Sequence, residues 1–415
     1  MPATIRTRAR ALIGDLSPIF WVLWWGLLVN RMASFVGIFL ALFLRERHGF
    51  DEAQAGWVVG LWGLGGTLAA PLGGLLTDRL GRRATMLLGL VAGGLSVVAI
   101  AIAARPLILA TLSFLGGATQ SLYHPAANAT VADLVPAPER PRAYGHLYWA
   151  GNLGLAFGFL VAGLVPSRLL VFLFLADAGT TFLFAGIVAS RIPETRPALL
   201  VHQPAISGLL RVARDRVFVR LLLLHVLGLV VFTQFQLALP LDMAAHGVGS
   251  RGFSWVMAFN CIGVVLLQPW LTPPLRRADP SRLLAISAVL FGMGYATNAF
   301  VSRLPFYLLG AALWTVGEVV GFPAASALVA NLAPLELRGR YQGAFTMTWG
   351  LAMTLSPVVG GQVMRRLGAP PLWYGCLAAG ALVAAGHLLC ASERRRRLAD
   401  VAAAAQCTRE AGAAG

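Results

Sequence analysis
The chain has no lysine. All 33 of its basic residues are arginine, set against 17 acidic residues for a net charge of +16. Charge of either sign is scarce: 12% of the 415 residues, where soluble domains carry about 25%. That shortage argues against a soluble globular protein of any fold. Disorder is excluded too, because it needs low hydrophobicity and high charge. Without lysine there is no G-x-x-x-x-G-K-[ST] phosphate loop, so an ATP-driven reading through that motif falls away. Cysteine is rare. Cys261, Cys376, Cys390 and Cys407 lack metal-ligand spacing, and the first three lie in or beside apolar runs, where small core residues belong. No nucleophile–base pair or metal cluster stands out, so neither an enzyme nor a bound cofactor is expected. The 46 glycines follow no G-X-Y period, which removes collagen.

What is abundant is apolar sequence: 58% hydrophobic residues and a mean hydropathy of +0.73. Twelve stretches, from Leu16–Leu44 to Leu367–Ser392, reach the roughly 20 apolar residues that a spanning helix needs. They lack the alternation of a barrel, so helices are predicted. The fold class is an all-α integral membrane protein of twelve transmembrane helices. Arginine sets the orientation. With the N-terminus inside, 24 arginines fall in inner segments and 8 in outer ones, which places both termini in the cytoplasm of a multi-pass protein in the inner (cytoplasmic) cell membrane. A pI near 11.2 suits nucleic acid as well, but the arginines sit in short clusters between apolar runs; the expected partners are lipid bilayer and a small-molecule substrate, with no nucleic acid. No removable signal peptide is predicted, because the first span is too long and lacks a cleavage site. A monomer is expected.

The chain repeats itself. Sliding it by 198 positions lays Pro125–Gly145 over Pro323–Gly343 with 11 identities in 21 pairs, among them Pro125/Pro323, Arg140/Arg338, Arg142/Arg340 and Gly145/Gly343. Both copies start on the same side, which makes them parallel six-span repeats. The predicted organisation is a first half over 1–190, a central cytoplasmic linker over 191–220, a second half over 221–392 and a cytoplasmic tail over 393–415. Within the linker, Ile206–Val219 can form an amphipathic surface helix. The tail opens on four arginines and is expected to be solvated or weakly held at anionic headgroups.

Between the second and third stretches stands Gly74-Leu-Leu-Thr-Asp78-Arg79-Leu-Gly81-Arg82-Arg83. It resembles the loop signature of the major facilitator superfamily, G-x-x-x-D-[RK]-x-G-[RK]-[RK], at every fixed position. The resemblance covers essentially the whole chain. It implies a secondary transporter working by alternating access, with Gly74, Asp78, Arg79, Gly81, Arg82 and Arg83 forming a cytoplasmic latch. Locally, an Asp at a helix end can cap a neighbouring helix and pair with arginines. The equivalent loop of the second half, Arg276-Arg277-Ala-Asp279-Pro-Ser-Arg282, keeps charge but loses the pattern. The fifth stretch carries Gly154, Gly158 and Gly163. It is similar to the signature of drug–proton antiporters, with Phe159 in place of its proline; close helix packing explains the glycines equally well. Leu112 and Ser113 stand where many of those antiporters have an arginine, which weakens transfer of their coupling scheme.

Three charges lie within the apolar stretches: Arg31 in the first, Asp177 in the sixth and Glu318 in the tenth. An ionisable residue in the membrane is expensive and is a functional hypothesis by default. Glu318 sits at mid-span and is the leading proton-coupling or substrate-cation candidate; Asp177 is the second. Arg31 needs a partner. Either it pairs with Asp177, or it faces the substrate cavity. The repeat lays Glu318 on Gln120 and Phe322 on His124. With Asn30, Trp149, Asn152, Gln234, Gln236 and Trp314, these complete the candidate cavity residues. The reading favoured by the resemblance is proton-driven export of small amphipathic or drug-like molecules, powered by the proton gradient alone. Proton-coupled uptake or lipid-linked substrate movement is a second reading, and a non-transporting scaffold or sensor a third.

Overall fold
The computed structural model describes residues 16–135, 140–166, 169–195, 212–275, 278–300, 303–333 and 338–399. Within them the chain is helical, with no strand. The helices are α1 (Pro18–Met32), α2 (Val36–His48), α3 (Glu52–Arg79), α4 (Arg82–Ile102), α5 (Pro106–Leu134), α6 (Arg140–Ala162), α7 (Leu170–Arg191), α8 (Arg216–Phe232), α9 (Ala238–Ala245), α10 (Gly249–Leu275), α11 (Pro280–Ala296), α12 (Leu304–Leu332), α13 (Arg338–Leu367) and α14 (Ala369–Leu389). The first predicted span is split into α1 and α2, and the seventh into α8 and α9 around a 3-10 turn over Thr233–Gln236. Every one of the twelve predicted stretches thus falls on a helical segment. Eight of the described segments are long and apolar enough to cross a membrane. The others are α5, α6, α11 and α13; α11 has only 17 residues, and the rest are thinned by polar side chains such as Gln120, Asn152 and Gln342.

The repeat is visible in the helix starts. Pro18 and Arg216, Arg82 and Pro280, Pro106 and Leu304, and Arg140 and Arg338 lie at the 198-residue offset of the sequence repeat. The split spans correspond as well, so both halves break their leading helix at the same place. Proline helps to set these starts: α1, α5, α11, α12 and α14 all carry it in the first turn, where its missing N–H costs nothing.

By contact the chain forms two compact units. The first comprises Met1–Val36, Gly65–Gly158 and Val171–Leu200; the second comprises Gly37–Leu64, Phe159–Leu170 and Val201–Gly415. The core of the first unit centres on Phe20, Leu23, Met86, Leu90, Phe184 and Val188. Its helices approach closely at glycine. A Cβ on Gly158 of α6 would lie 2.5 Å from the Met32 carbonyl oxygen, and one on Gly154 would lie 2.8 Å from that of Leu28. The antiporter-like glycines therefore seat α6 against the end of α1.

In the second unit, α3 packs on α13 the same way: a Cβ on Gly56 or Gly63 would run into the backbone carbonyls of Pro357 or Met353. One of its cores gathers Phe218, Leu328, Tyr341 and Phe345. Two expectations change here. The helix of the seventh span begins at Arg216, capped by Asp215, whose side chain accepts from the Phe218 amide; of the surface helix expected over Ile206–Val219, residues 212–214 are helical and end at that cap, while residues 206–211 lie outside those described. The arginine run after α14 is not free. Residues 391–399 are helical, and Arg395 pairs with Asp279 at 2.7 Å, Arg397 with Asp215 at 3.7 Å and Glu393 with Arg220 at 2.6 Å. Asp215 and Asp279, the caps of α8 and α11, and Arg220 of α8 thus hold this part of the tail against the second half. Residues 400–415 lie outside the described chain.

Candidate functional site
Glu318 occupies the middle of α12, 14 residues from either end. It is buried, and its Oε2 accepts from Nδ2 of Asn260 on α10 at 3.0 Å. The same Nδ2 lies 3.0 Å from Oγ1 of Thr315, so one amide group ties both α12 side chains to α10. Among the described residues no arginine or histidine stands within ion-pair distance of this carboxyl group. It is a buried acid whose neighbours are neutral hydrogen-bonding groups.

The other second-half candidates separate into three environments. Phe322 joins an aromatic group with Phe232, Phe291 and Trp349, at centroid distances of 5.2, 6.0 and 5.2 Å. Beside it lies a cavity of about 20 Å³, enough for a water molecule, walled by His225, Ser287, Phe291 and His387 among others. Trp314 goes elsewhere. It is 2% exposed and packs on Tyr295, which in turn stacks on Trp373, so it is a core residue of α11, α12 and α14. Gln234 and Gln236 lie in the break of the seventh span and are buried. Gln234 donates to the Val230 carbonyl, and Gln236 contacts the Met353 sulfur of α13.

In the first unit, Asp177 and Arg31 are not joined by an ion pair. Oδ2 of Asp177 accepts the backbone amides of Phe35 and Val36, at 2.9 and 3.1 Å. These amides stand at the restart of the helix after the break between α1 and α2, where the first N–H groups lack partners within the helix. A carboxylate satisfies them well, because it also meets the positive end of the helix dipole. Arg31 instead points Nη2 at the Tyr123 hydroxyl, 3.4 Å away. Asn30 donates to Thr181 at 2.9 Å, a second tie between the first and sixth spans. Gln120 is half-buried on α5, while His124 is exposed and rests against Tyr123. On α6, Trp149 is exposed and Asn152 donates to the Tyr148 carbonyl.

The loop motif also acquires partners that sequence reading missed. Gly81 has φ +98°, a conformation other residues avoid, and a Cβ there would meet Glu194 at 2.3 Å. Glu194 accepts the amides of Arg82 and Arg83 at 2.8 and 3.1 Å, capping α4. Arg82 is buried and pairs through Nε with Asp133 at 2.9 Å, which also receives the Thr195 hydroxyl. Arg83 reaches the Ala189 carbonyl. Glu194, a residue the sequence reading did not single out, caps this helix N-terminus. The side chain of Asp78 lies outside those described; Gly74 stands in open space, and Arg79 is exposed. The signal for Glu194 was present in Arg191-Ile-Pro-Glu-Thr, a charged segment leaving the sixth span. The second half reverses the charges: there Asp279 caps α11 from within, and Arg395 of the tail pairs with it.

Comparison with known proteins agrees with this architecture. The family model for the Major Facilitator Superfamily matches residues 23–357 and, in an overlapping second match, 221–406. Among curated relatives, the multidrug resistance protein MdtH of Edwardsiella ictaluri is 28% identical, over 85% of this chain and 89% of its own length. The MFS-type transporter YhjO of Bacillus subtilis is 25% identical over 84% and 86%. A Na(+), Li(+), K(+)/H(+) antiporter of Planococcus maritimus is 24% identical over 77% and 83%. The crystal structure of the nucleoside transporter NupG shares the fold with a TM-score of 0.78 at 14% identity, over 90% of this chain and 99% of that one. Loop motif, internal repeat, helical fold and family match agree: the chain is a member of the major facilitator superfamily, a membrane transporter and not an enzyme.

Proposed function
We propose that this transporter exports small amphipathic or drug-like molecules in exchange for protons, from a cytoplasmic membrane with both termini inside. The observation that carries the reading is Glu318: a buried acid at the middle of α12, bound to Asn260 and without a cation partner among the described residues. Such a group can alternate between holding a proton and holding a substrate cation. Its repeat partner Gln120 cannot titrate, so the coupling site belongs to the second six-span half. In this reading the two halves, 1–190 and 221–392, rock about the linker 191–220, and the Gly81–Glu194 corner steadies the cytoplasmic side of the first half. In the second half the aromatic group around Phe322 contacts the substrate. The proton gradient supplies the energy, without a cofactor. The relative named a multidrug resistance protein supports the substrate class. The relative named a cation/proton antiporter supports a second reading, exchange of a monovalent cation for protons at the same acid.

The test uses purified protein in liposomes with an imposed pH gradient and a panel of dyes, drugs and alkali cations. Glu318→Gln mimics the protonated acid. It should abolish gradient-driven transport while preserving substrate binding or downhill exchange. Transport by Glu318→Gln at the wild-type rate and pH dependence would overturn the assignment and shift attention to Asp177 or His124.

A further inference from the structure
The second half holds another buried acid, which the reading above leaves unused. Asp242 lies on α9, beyond the break of the seventh span, and is 2% exposed. Its Oδ2 accepts the Tyr307 hydroxyl at 2.7 Å. Its Oδ1 lies 3.5 Å from Nδ1 of His246, one turn further along, and that Nδ1 is also 2.9 Å from the Asp242 carbonyl oxygen. Among the described residues His246 is its ion-pair partner, and no arginine stands within 4 Å. The groups acting on the carboxylate are His246 from α9, Tyr307 from α12 and the indole of Trp373 from α14. With no permanent cation beside it, the charge of Asp242 is tied to that of an imidazole that itself exchanges protons. The His246 side chain is 45% exposed and so reaches water, whereas the acid does not.

Tyr307 connects this pair to Glu318. Residues 307, 311, 315 and 318 follow helical spacing along one stripe of α12, which puts Tyr307 roughly 16 Å from Glu318 along the helix. Thr315 on that stripe shares Asn260 with Glu318. A change in the bond at Tyr307 therefore acts on the same helix that carries the coupling acid.

We propose that the Asp242–His246 pair is the outer proton-loading site of the transport cycle. The proposal rests on the proton-coupled reading and on the orientation given above. One proton from outer water is taken up at Nε2 of His246. The Nδ1 proton passes to Oδ1 of Asp242, which leaves the imidazole neutral and the acid protonated. Tyr307 then faces a neutral acid in place of a carboxylate, the charge-assisted bond between α12 and α9 weakens, and the outer half of the seventh span is released. Release of that proton on the inner side of the membrane later in the cycle restores the bond.

The test sets outer and inner pH independently in oriented proteoliposomes. Asp242→Asn still offers Tyr307 an acceptor but carries no proton. Its transport should lose its dependence on outer pH while its dependence on inner pH and its substrate counterflow stay at wild-type values. Asp242→Glu should restore the outer dependence. His246→Gln, at a half-exposed position, makes the same prediction if Asp242→Asn fails to fold. A wild-type outer-pH profile in Asp242→Asn or His246→Gln overturns the proposal. So does an equal loss on both sides together with lost counterflow, which marks a structural residue. Glu318→Gln keeps the two readings apart: if it leaves coupling intact while Asp242→Asn abolishes the outer dependence, the assignment of Glu318 fails and that of Asp242 stands.

Discussion
Asp177 accepts the amide hydrogen of Phe35 across 142 residues of sequence, and this bond closes the gap where the first span breaks. The acid at the centre of the sixth span is therefore a helix cap. Its repeat counterpart is Gly375, and the second half repairs its own break differently: the Tyr295 hydroxyl donates to the Phe232 carbonyl at 2.6 Å. One half places its acceptor at the amides of the restart, the other its donor at a carbonyl of the end.

Asp177→Ala should destabilise the protein by about 1.5–3 kcal/mol, the worth of hydrogen bonds to a charged group, and Asp177→Asn, which keeps one acceptor oxygen, by less. Arg31→Gln should not compensate. A double-mutant cycle in melting experiments should give a coupling below about 0.5 kcal/mol, as for independent sites; coupling well above that would mean the two residues act as a pair.

Glycine on α6 makes a steric prediction. Gly158→Ala pushes a methyl into the Met32 carbonyl and should cost about 1–3 kcal/mol, the usual penalty of overpacking. Gly151 has open space at its Cβ position, so Gly151→Ala should be neutral or slightly stabilising. Equal melting temperatures for the two variants would remove the packing role of the antiporter-like glycines.

At the loop motif, Glu194→Ala leaves the amides of Arg82 and Arg83 without their acceptor, and Gly81→Ala forbids the observed backbone conformation. Each should lower transport more than it lowers expression. Glu194→Gln keeps one acceptor oxygen and should retain more activity than Glu194→Ala. Uptake assays normalised to membrane-inserted protein would expose a failure, namely wild-type transport in both Glu194→Ala and Gly81→Ala.

The tail contact carries a pH dependence. Burial pushes the Asp279 carboxyl up, but its bonds to Arg395 and to the Ser281 amide outweigh burial and hold it below the usual carboxylate range. A depressed acid contributes stability that is present above its unfolded value of 3.8 and is lost as pH falls through the lower folded value. Because Arg395 is half exposed, the contribution stays within about 1 kcal/mol. Asp279→Asn should raise hydrogen exchange over residues 391–399 at neutral pH and leave less difference from wild type at strongly acidic pH. Unchanged exchange at neutral pH would show that the tail helix is held by other contacts.

The sequence by itself determined whatever depends on distance along the chain. Run length and arginine bias marked the membrane class and placed helices under all twelve stretches. The 198-residue offset foretold the starts of paired helices, because a repeat preserves spacing. Motif spacing pointed to the family, and Glu318 was legible because an acid in the middle of an apolar run is costly anywhere. Tertiary structure decided what meets what. Counterparts such as Gln120 and Glu318 share a position, yet nothing local tells whether a side chain stays exposed, like His124, or turns into the core, like Trp314. Sequence left Arg31 with two readings, one of them as the partner of Asp177; in the fold Oδ2 of Asp177 is taken by the amides at which the broken helix restarts, a contact that no local pattern announces. Glu194 and Asp242 escaped notice for a related reason. Both sit at the margins of apolar runs, where charge is ordinary in sequence, and only packing shows that one caps a distant helix and the other is sealed from water.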